Sequence, residues 1–284
     1  MRALSAIIAA AIGLVSQSAL AGLSLDGSVV TGKATNASSM TTGSLTTSGG
    51  AGIVLVFATA SHRSSDGCTS GGAVSSVTGG GLTFSPRVGT GGAMSPIQYV
   101  GAEAGEYNDI EEWWAYYSSN ISSGTFTVSY NSCNGHANFD TGAVIALAVT
   151  GQTGTSWHTA PFDGNASLPA TGSNTVYSNP SVSGVSATSA NGFVVSYGTS
   201  GDNELAPTTS NIPASPGTWT FGAGVVDIDS SATSAGLAYQ NFQPSSASIA
   251  WSYASNGSAS IVDDLIGVGT SSAAPTDVLL MGVQ

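Results

Sequence analysis

One strand-like run is written twice in this chain. Gly52-Ile53-Val54-Leu55-Val56-Phe57-Ala58-Thr59 returns 140 residues later as Gly192-Phe193-Val194-Val195-Ser196-Tyr197-Gly198-Thr199. A repeat at that distance constrains the fold more than any single motif, because whatever supersecondary unit the first copy builds, the second should build as well. Other runs follow in the same order. Leu82-Thr83-Phe84 corresponds to Trp219-Thr220-Phe221, and Trp114-Ala115-Tyr116 to Leu237-Ala238-Tyr239. Phe126-Thr127-Val128-Ser129-Tyr130 corresponds to Ile249-Ala250-Trp251-Ser252-Tyr253, and Ala146-Leu147-Ala148-Val149 to Leu265-Ile266-Gly267-Val268. The separation falls to 119 residues at the last pair, which implies shorter surface loops in the second copy.

The runs differ in pattern. Ile53 to Phe57 is continuously apolar, as in a strand covered on both faces, whereas Phe126 to Tyr130 and Ile249 to Tyr253 alternate, as in strands with one wet face. No stretch after residue 22 shows sustained helical periodicity with caps, and Gly or paired Ser/Thr interrupts most candidates. The expected fold is all-β: two tandem antiparallel β-sandwich repeats, jelly-roll-like or Ig-like, after an N-terminal hydrophobic segment. The boundaries read as 1–21 for that segment, 22–150 for the first sandwich, 151–179 for a linker and 180–284 for the second sandwich. Separate domains are favoured, with the alternative that the two copies supply two halves of one large sandwich.

With 284 residues and 41% hydrophobic content the chain can bury a core in each half. Only 7% of residues are charged, the net charge is -12, and the only cations are Arg2, Lys33, Arg63 and Arg87. That leaves no basic surface for a phosphate backbone, so nucleic acid and anionic membranes are not expected partners. Residues 1–21 join one early cation, an apolar run from Ala3 to Val15 and Ala19-Leu20-Ala21 before Gly22, the pattern of a secretory signal. The run is short for a bilayer, so no stable transmembrane span is expected; if retained, the segment can anchor the chain in an assembly.

Cys68 and Cys133 sit in DGCTSGG and NSCNGHANF and read either as a disulfide or as inert free thiols. A zinc site with His62 and His136 is the less favoured reading, since the short C-x2-C and H-x3-5-H spacings are missing. The densest cluster is Asn108-Asp109-Ile110-Glu111-Glu112-Trp113-Trp114-Ala115-Tyr116-Tyr117. On a strand, Glu111, Trp113 and Tyr117 share one face, and Glu112, Trp114 and Tyr116 the other. Trp114 and Tyr116 read as core from their second-copy counterparts, so Trp113, Tyr117 and Glu111 are the ligand-binding candidates, with rings suited to a sugar. Asp109 and Glu111 could hold Ca2+, although no ligand-dense calcium loop is present and no other cofactor is expected. Glu111 and Glu112 diverge, which makes them a poor glycosidase pair, and Asp263-Asp264 reads as an edge-protecting charge pair. His62, His136 and His158 fall in Gly/Ser/Thr loops, and there is no G-x-S-x-G elbow, so the chain does not read as an enzyme.

The IEEWWA segment at Ile110 to Ala115, the APFDGNASLPA segment at Ala160 to Ala170, and the GIVLVF and GFVVSY strands resemble Gly/Ser/Thr-rich duplicated β-sandwich proteins of tailed-phage virions and bacterial surfaces. The resemblance implies a non-enzymatic virion accessory, such as a capsid decoration, head fibre or tail component. Its partners would be other virion proteins, further copies of itself and host-surface glycans, and its location extracellular. The alternative is an exported bacterial adhesin or carbohydrate-binding protein.

Overall fold

The computed structural model describes residues 22–63, 68, 73–89, 92–93, 97–100, 106–151, 155–174, 179–189, 192–201, 205–228, 232–252 and 258–265. The segment 1–21, Tyr253 and residues 266–268 of the aligned runs lie outside them. The first half carries β1 (Ser24–Leu25), β2 (Val30–Ala37), β3 (Ser39–Thr41), β4 (Gly52–Arg63), β5 (Val74–Gly79), β6 (Ser85–Pro86), β7 (Val88–Gly89), β8 (Gly92–Ala93), β9 (Ile97–Val100), β10 (Glu106–Tyr117), β11 (Phe126–Tyr130) and β12 (Phe139–Thr150). The second half carries β13 (Ala170–Asn174), β14 (Ser181–Val185), β15 (Phe193–Gly201), β16 (Thr220–Ile228), β17 (Ala232–Asn241), β18 (Ala247–Ala250) and β19 (Ser258–Leu265). The only helical turn among the described residues is a 3-10 turn at Thr155–His158. The protein is therefore all-β, and its sheets are antiparallel.

Four sheets stack in layers. The first large sheet runs β1-β12-β4-β10-β6, with β2 also on β12 and β9 also on β10; the second runs β13-β19-β15-β17-β16. A small sheet, β3-β11-β5, covers the outer face of the first, and the pair β14-β18 covers the outer face of the second. The two large sheets face each other across a core that draws on both halves of the chain.

This layering explains the continuous apolar strands. In β4, Ile53, Leu55 and Phe57 enter the central core, while Val54, Val56, Ala58 and Ala60 pack under the first small sheet. In β12, Ala143, Ile145, Leu147 and Val149 point inward and Val144, Ala146 and Ala148 outward. A strand between two layers has no wet face, so both sets of alternate residues must be apolar. In β11, by contrast, Phe126, Val128 and Tyr130 are buried and the residues between them are half-exposed. Across the centre, Phe57 stacks on Tyr197 with ring centroids 5.2 Å apart, a contact worth about 0.5–1.5 kcal/mol beyond its area. In the outer core of the second half, Trp251 lies over the cross-strand pair Gly198 and Gly236. A Cβ at either position would come within 2.8 or 2.9 Å of the indole, and the ring donates from Nε1 to Ser196 Oγ at 3.0 Å.

Two readings of the sequence are corrected here. The stretch 151–179 is not simply a linker: Ala170–Asn174 is a strand paired with β19, and Phe162 bridges to Leu265. Because the two halves share one central core, they are layers of one body rather than beads on a connection. Asp263 and Asp264 do not guard an edge either. β19 lies between β13 and β15, and both carboxyls are fully buried.

Candidate functional site

Strand β10 carries the densest set of polar and aromatic side chains, and its two faces do different things. The face with Asp109, Glu111, Trp113 and Tyr117 was expected to be open to ligand, but it lies under the β3-β11-β5 sheet. Tyr117 is only 2% exposed, and its hydroxyl donates to Asp26 Oδ2 at 2.8 Å. Burial, with Asp26 alongside, pushes its phenol well above the ordinary value. Trp113 packs on the same outer core and donates from Nε1 to Glu111 Oε2 at 3.1 Å; Glu111 Oε1 accepts from the Val74 amide at 2.6 Å. Asp109 Oδ1 accepts from the Ala60 amide at 2.8 Å.

Burial first, and then the charge of Glu111, raises the Asp109 carboxyl well above its usual value; burial also raises Glu111. Three of the four carboxylate oxygens proposed for Ca2+ thus already accept hydrogen bonds, two of which tie β10 to β4 and β5 while the third comes from Trp113 of β10 itself. This is a structural lacing, not an open oxygen cage. The error has a physical origin: alternation shows that two faces differ, not which one the rest of the chain will cover.

The opposite face opens to solvent at its end. Trp114 and Tyr116 are half-buried, and they line a cleft of about 460 Å3 together with Leu82, Thr83, Ser85 and His158. An adjoining hollow of about 330 Å3 runs along Gly80–Leu82 and Tyr117–Ser123. The cover over the two rings comes from the connection after β12 rather than from a strand. Trp114 meets Phe162 edge-on, with centroids 5.7 Å apart, and Tyr116 lies against the exposed His158 ring at 3.9 Å. No acidic side chain, Lys or Arg is among the described residues lining the cleft.

Beneath the cleft lies an ionic cluster that joins the two large sheets. Arg87, which follows β6, lays its guanidinium on the Phe162 ring, 4.0 Å from the centroid. It also forms a two-pronged ion pair with Asp263 of β19, through Nε to Oδ2 and through Nη2 to Oδ1 at 3.2 Å. Glu112 of β10 faces the same cluster, and its oxygens make no hydrogen bond among the described residues. Burial raises Glu112 well above its ordinary value, and Asp263 raises it further against the pull of Arg87. Burial raises Asp263 as well, with Arg87 opposing. Next to them, the two Asp264 oxygens are buried without a hydrogen-bond partner among the described residues, and burial followed by the charges of Asp263 and Asp163 pushes the carboxyl up to about 9.

Asp163 behaves in the opposite way. Although partial burial opposes it, hydrogen bonds from Ser189, Thr188 and Asn165 hold its carboxyl below the ordinary range. Sequence reasoning missed Arg87, Phe162 and His158, because nothing local relates them to β10. It did show Glu112 and Trp114 sharing a face.

Cys68 and Cys133 are joined in a disulfide with Cα atoms 5.6 Å apart. His62 is a buried residue of β4 rather than part of a loop, and its imidazole lies beside the two sulfurs. His136 and His158 are both exposed. No described helix is long and apolar enough to cross a membrane. Comparison of the chain with known protein families, curated proteins and solved structures finds none that matches.

Proposed function

We propose that the protein is a non-enzymatic binding and display protein that works outside the cell, as a virion accessory or an exported surface protein, and that the Trp114–Tyr116–His158 cleft takes a neutral saccharide. The observation that carries this reading is the lining of the cleft. Aromatic faces offer broad apolar surface to the C–H face of a sugar, and the hydroxyls of Thr83, Ser85 and Ser118 beside them match its polar edges. A lining with no carboxylate among the described residues suits binding better than hydrolysis, which needs two carboxyl groups flanking one bond. The disulfide supports an oxidising setting. We also infer that the two layered halves are copies of one sandwich, a reading supported by their common strand order: β12-β4-β10-β6 in one sheet and β19-β15-β17-β16 in the other.

A glycan array probed with the full chain, followed by titration calorimetry on the hits, tests the cleft. Trp114→Ala is expected to weaken binding by about tenfold or more, roughly 1.4 kcal/mol, whereas Trp113→Ala, on the covered face, leaves it within about twofold. Equal losses in the two variants, or an array without hits, would discard the cleft as the site, and turnover of a polysaccharide would discard the non-enzymatic reading. Mass spectrometry of purified particles and of culture supernatant separates the two settings.

A further inference from the structure

The surroundings of the disulfide point to a second site, independent of the cleft. The ligand atoms of His62, Cys68 and Cys133 all lie within 4.8 Å of one another. A tetrahedral zinc ion with Zn–S near 2.3 Å and Zn–N near 2.0–2.1 Å needs its ligand atoms about 3.5–3.8 Å apart. The cluster therefore needs only the separation of the two sulfurs that reduction brings, not a rearrangement of the fold. Two of the three residues are buried: His62 is the penultimate residue of the long central strand β4, and Cys68 is 2% exposed. Cys133 is half-buried, so reductant and metal can approach from its side.

Cys133 also opens a tight turn, Cys133-Asn134-Gly135-His136, with φ of 47° at Asn134 and 84° at Gly135. Its ends exchange two backbone hydrogen bonds, Cys133 N to His136 O at 2.9 Å and His136 N to Cys133 O at 2.8 Å. Residues paired in this way carry their side chains on the same side of a hairpin, about 5.5 Å apart, which puts the exposed His136 within a rotamer change of the cluster. A further observation points the same way. Asp109 stands on the face of the sheet that His62 shares, one register step away, since Tyr107 pairs with His62 and Asp109 with Ala60. Its Oδ2 is buried and takes no hydrogen bond among the described residues. A carboxylate beside a metal-bound imidazole is the usual partner that orients such a ring.

We propose that the protein holds a redox-gated site for a thiophilic metal ion such as Zn2+, built by Cys68, Cys133 and His62 and closed by His136. A dithiol reductant gives two electrons and two protons to the Cys68–Cys133 bond, leaving as its own disulfide while two protein thiols form. On binding, each thiol releases its proton to solvent as its sulfur bonds the metal, and neutral His62 donates a ring nitrogen. In the oxidised protein the sulfurs are spent on each other and the site is closed.

The full chain is reduced with dithiothreitol, freed of it under nitrogen, and titrated with Co2+ and then Zn2+. One Co2+ per chain is expected, with thiolate charge-transfer and tetrahedral ligand-field bands that Zn2+ displaces, and with two protons released per metal bound. The oxidised protein should give none of these. His62→Ala and His62→Asn should each weaken binding more than about 100-fold, beyond what the loss of an outer-sphere partner does, and His136→Ala less so. Circular dichroism of the oxidised variants checks that they fold. X-ray absorption of the Zn2+-loaded wild type should count two sulfurs and at least one imidazole nitrogen, a measurement that needs no variant. No stoichiometric binding by the reduced protein, or a shell of two sulfurs with oxygens only, would overturn the assignment.

Discussion

Arg87→Met is expected to lower the unfolding free energy by about 3–5 kcal/mol, the usual consequence of leaving a buried ion pair with one partner. Arg87 is 8% exposed and Asp263 fully buried. Without the guanidinium, Asp263 faces the buried Glu112 with no cation between them, and Phe162 loses the planar group stacked on its ring. The loss should be smaller at pH 5 than at pH 8, because both carboxyls can then be neutral.

The triple variant Arg87→Met, Glu112→Leu, Asp263→Leu should recover most of the stability, since apolar replacement of a whole buried ionic group is often neutral or better. The register of the sheets gives that design its rationale. Glu112 lies across from Phe57, and the residue across from Tyr197, the stacking partner of Phe57, is Leu237. Asp263 lies across from Val195, and the residue across from Leu55, the counterpart of Val195 in the repeated run, is Leu147. The other half of the molecule thus builds the same positions with leucine. Urea denaturation at both pH values measures wild type, the single variant and the triple variant. A single variant as stable as wild type would remove the cluster as a structural interlock.

The second large effect is a stability that falls as pH rises. Asp264 is pushed up to about 9, and Asp109 and Glu112 are also raised, against ordinary carboxyl values near 4. A carboxyl whose folded value exceeds its unfolded value binds its proton more tightly in the folded state. Its contribution to stability is therefore complete below about pH 4 and lost as pH rises through the folded value. Asp163, held low, acts in the opposite sense and weakens the fold only below about pH 4. The unfolding free energy from urea denaturation should therefore decline between pH 5 and pH 9, by an amount on the order of several kcal/mol. Asp264→Asn should flatten that slope and be more stable than wild type above pH 8 by on the order of 1–2 kcal/mol. A wild-type unfolding free energy that is level or rises across this range would refute the assignment of buried, protonated carboxyls.

Two residues show how far the sequence could be read. Glu112 and Trp114 were legible as neighbours on one face of a strand, because side-chain direction alternates along any strand. That this face carries the cleft was not legible. Its cover comes from Phe162 and His158 and its ionic support from Arg87 and Asp263, residues whose proximity depends on contacts across the whole chain. Tyr117 failed for the same reason in reverse, since the second-copy comparison assigned the core to its neighbours and left it to solvent. The register also moves that comparison by two residues: Trp114 lies across from Leu55, and Tyr239, not Leu237, lies across from Val195. An even shift keeps the face and changes the partner, which a run of alternating residues cannot reveal.

By itself, then, the sequence determined the all-β class, the doubly covered run Ile53–Phe57 within β4 and the one-sided strand Phe126–Tyr130. Each of these is encoded in a period of two residues and a supply of Gly, Ser and Thr for turns. Only the tertiary structure decided that the two halves share a core, that Asp263 and Asp264 are interior, and which side of β10 meets water. Local periodicity fixes the direction of a side chain, whereas burial is a property of the layer laid over it, and that layer comes from residues distant in sequence, 176 positions apart for Arg87 and Asp263.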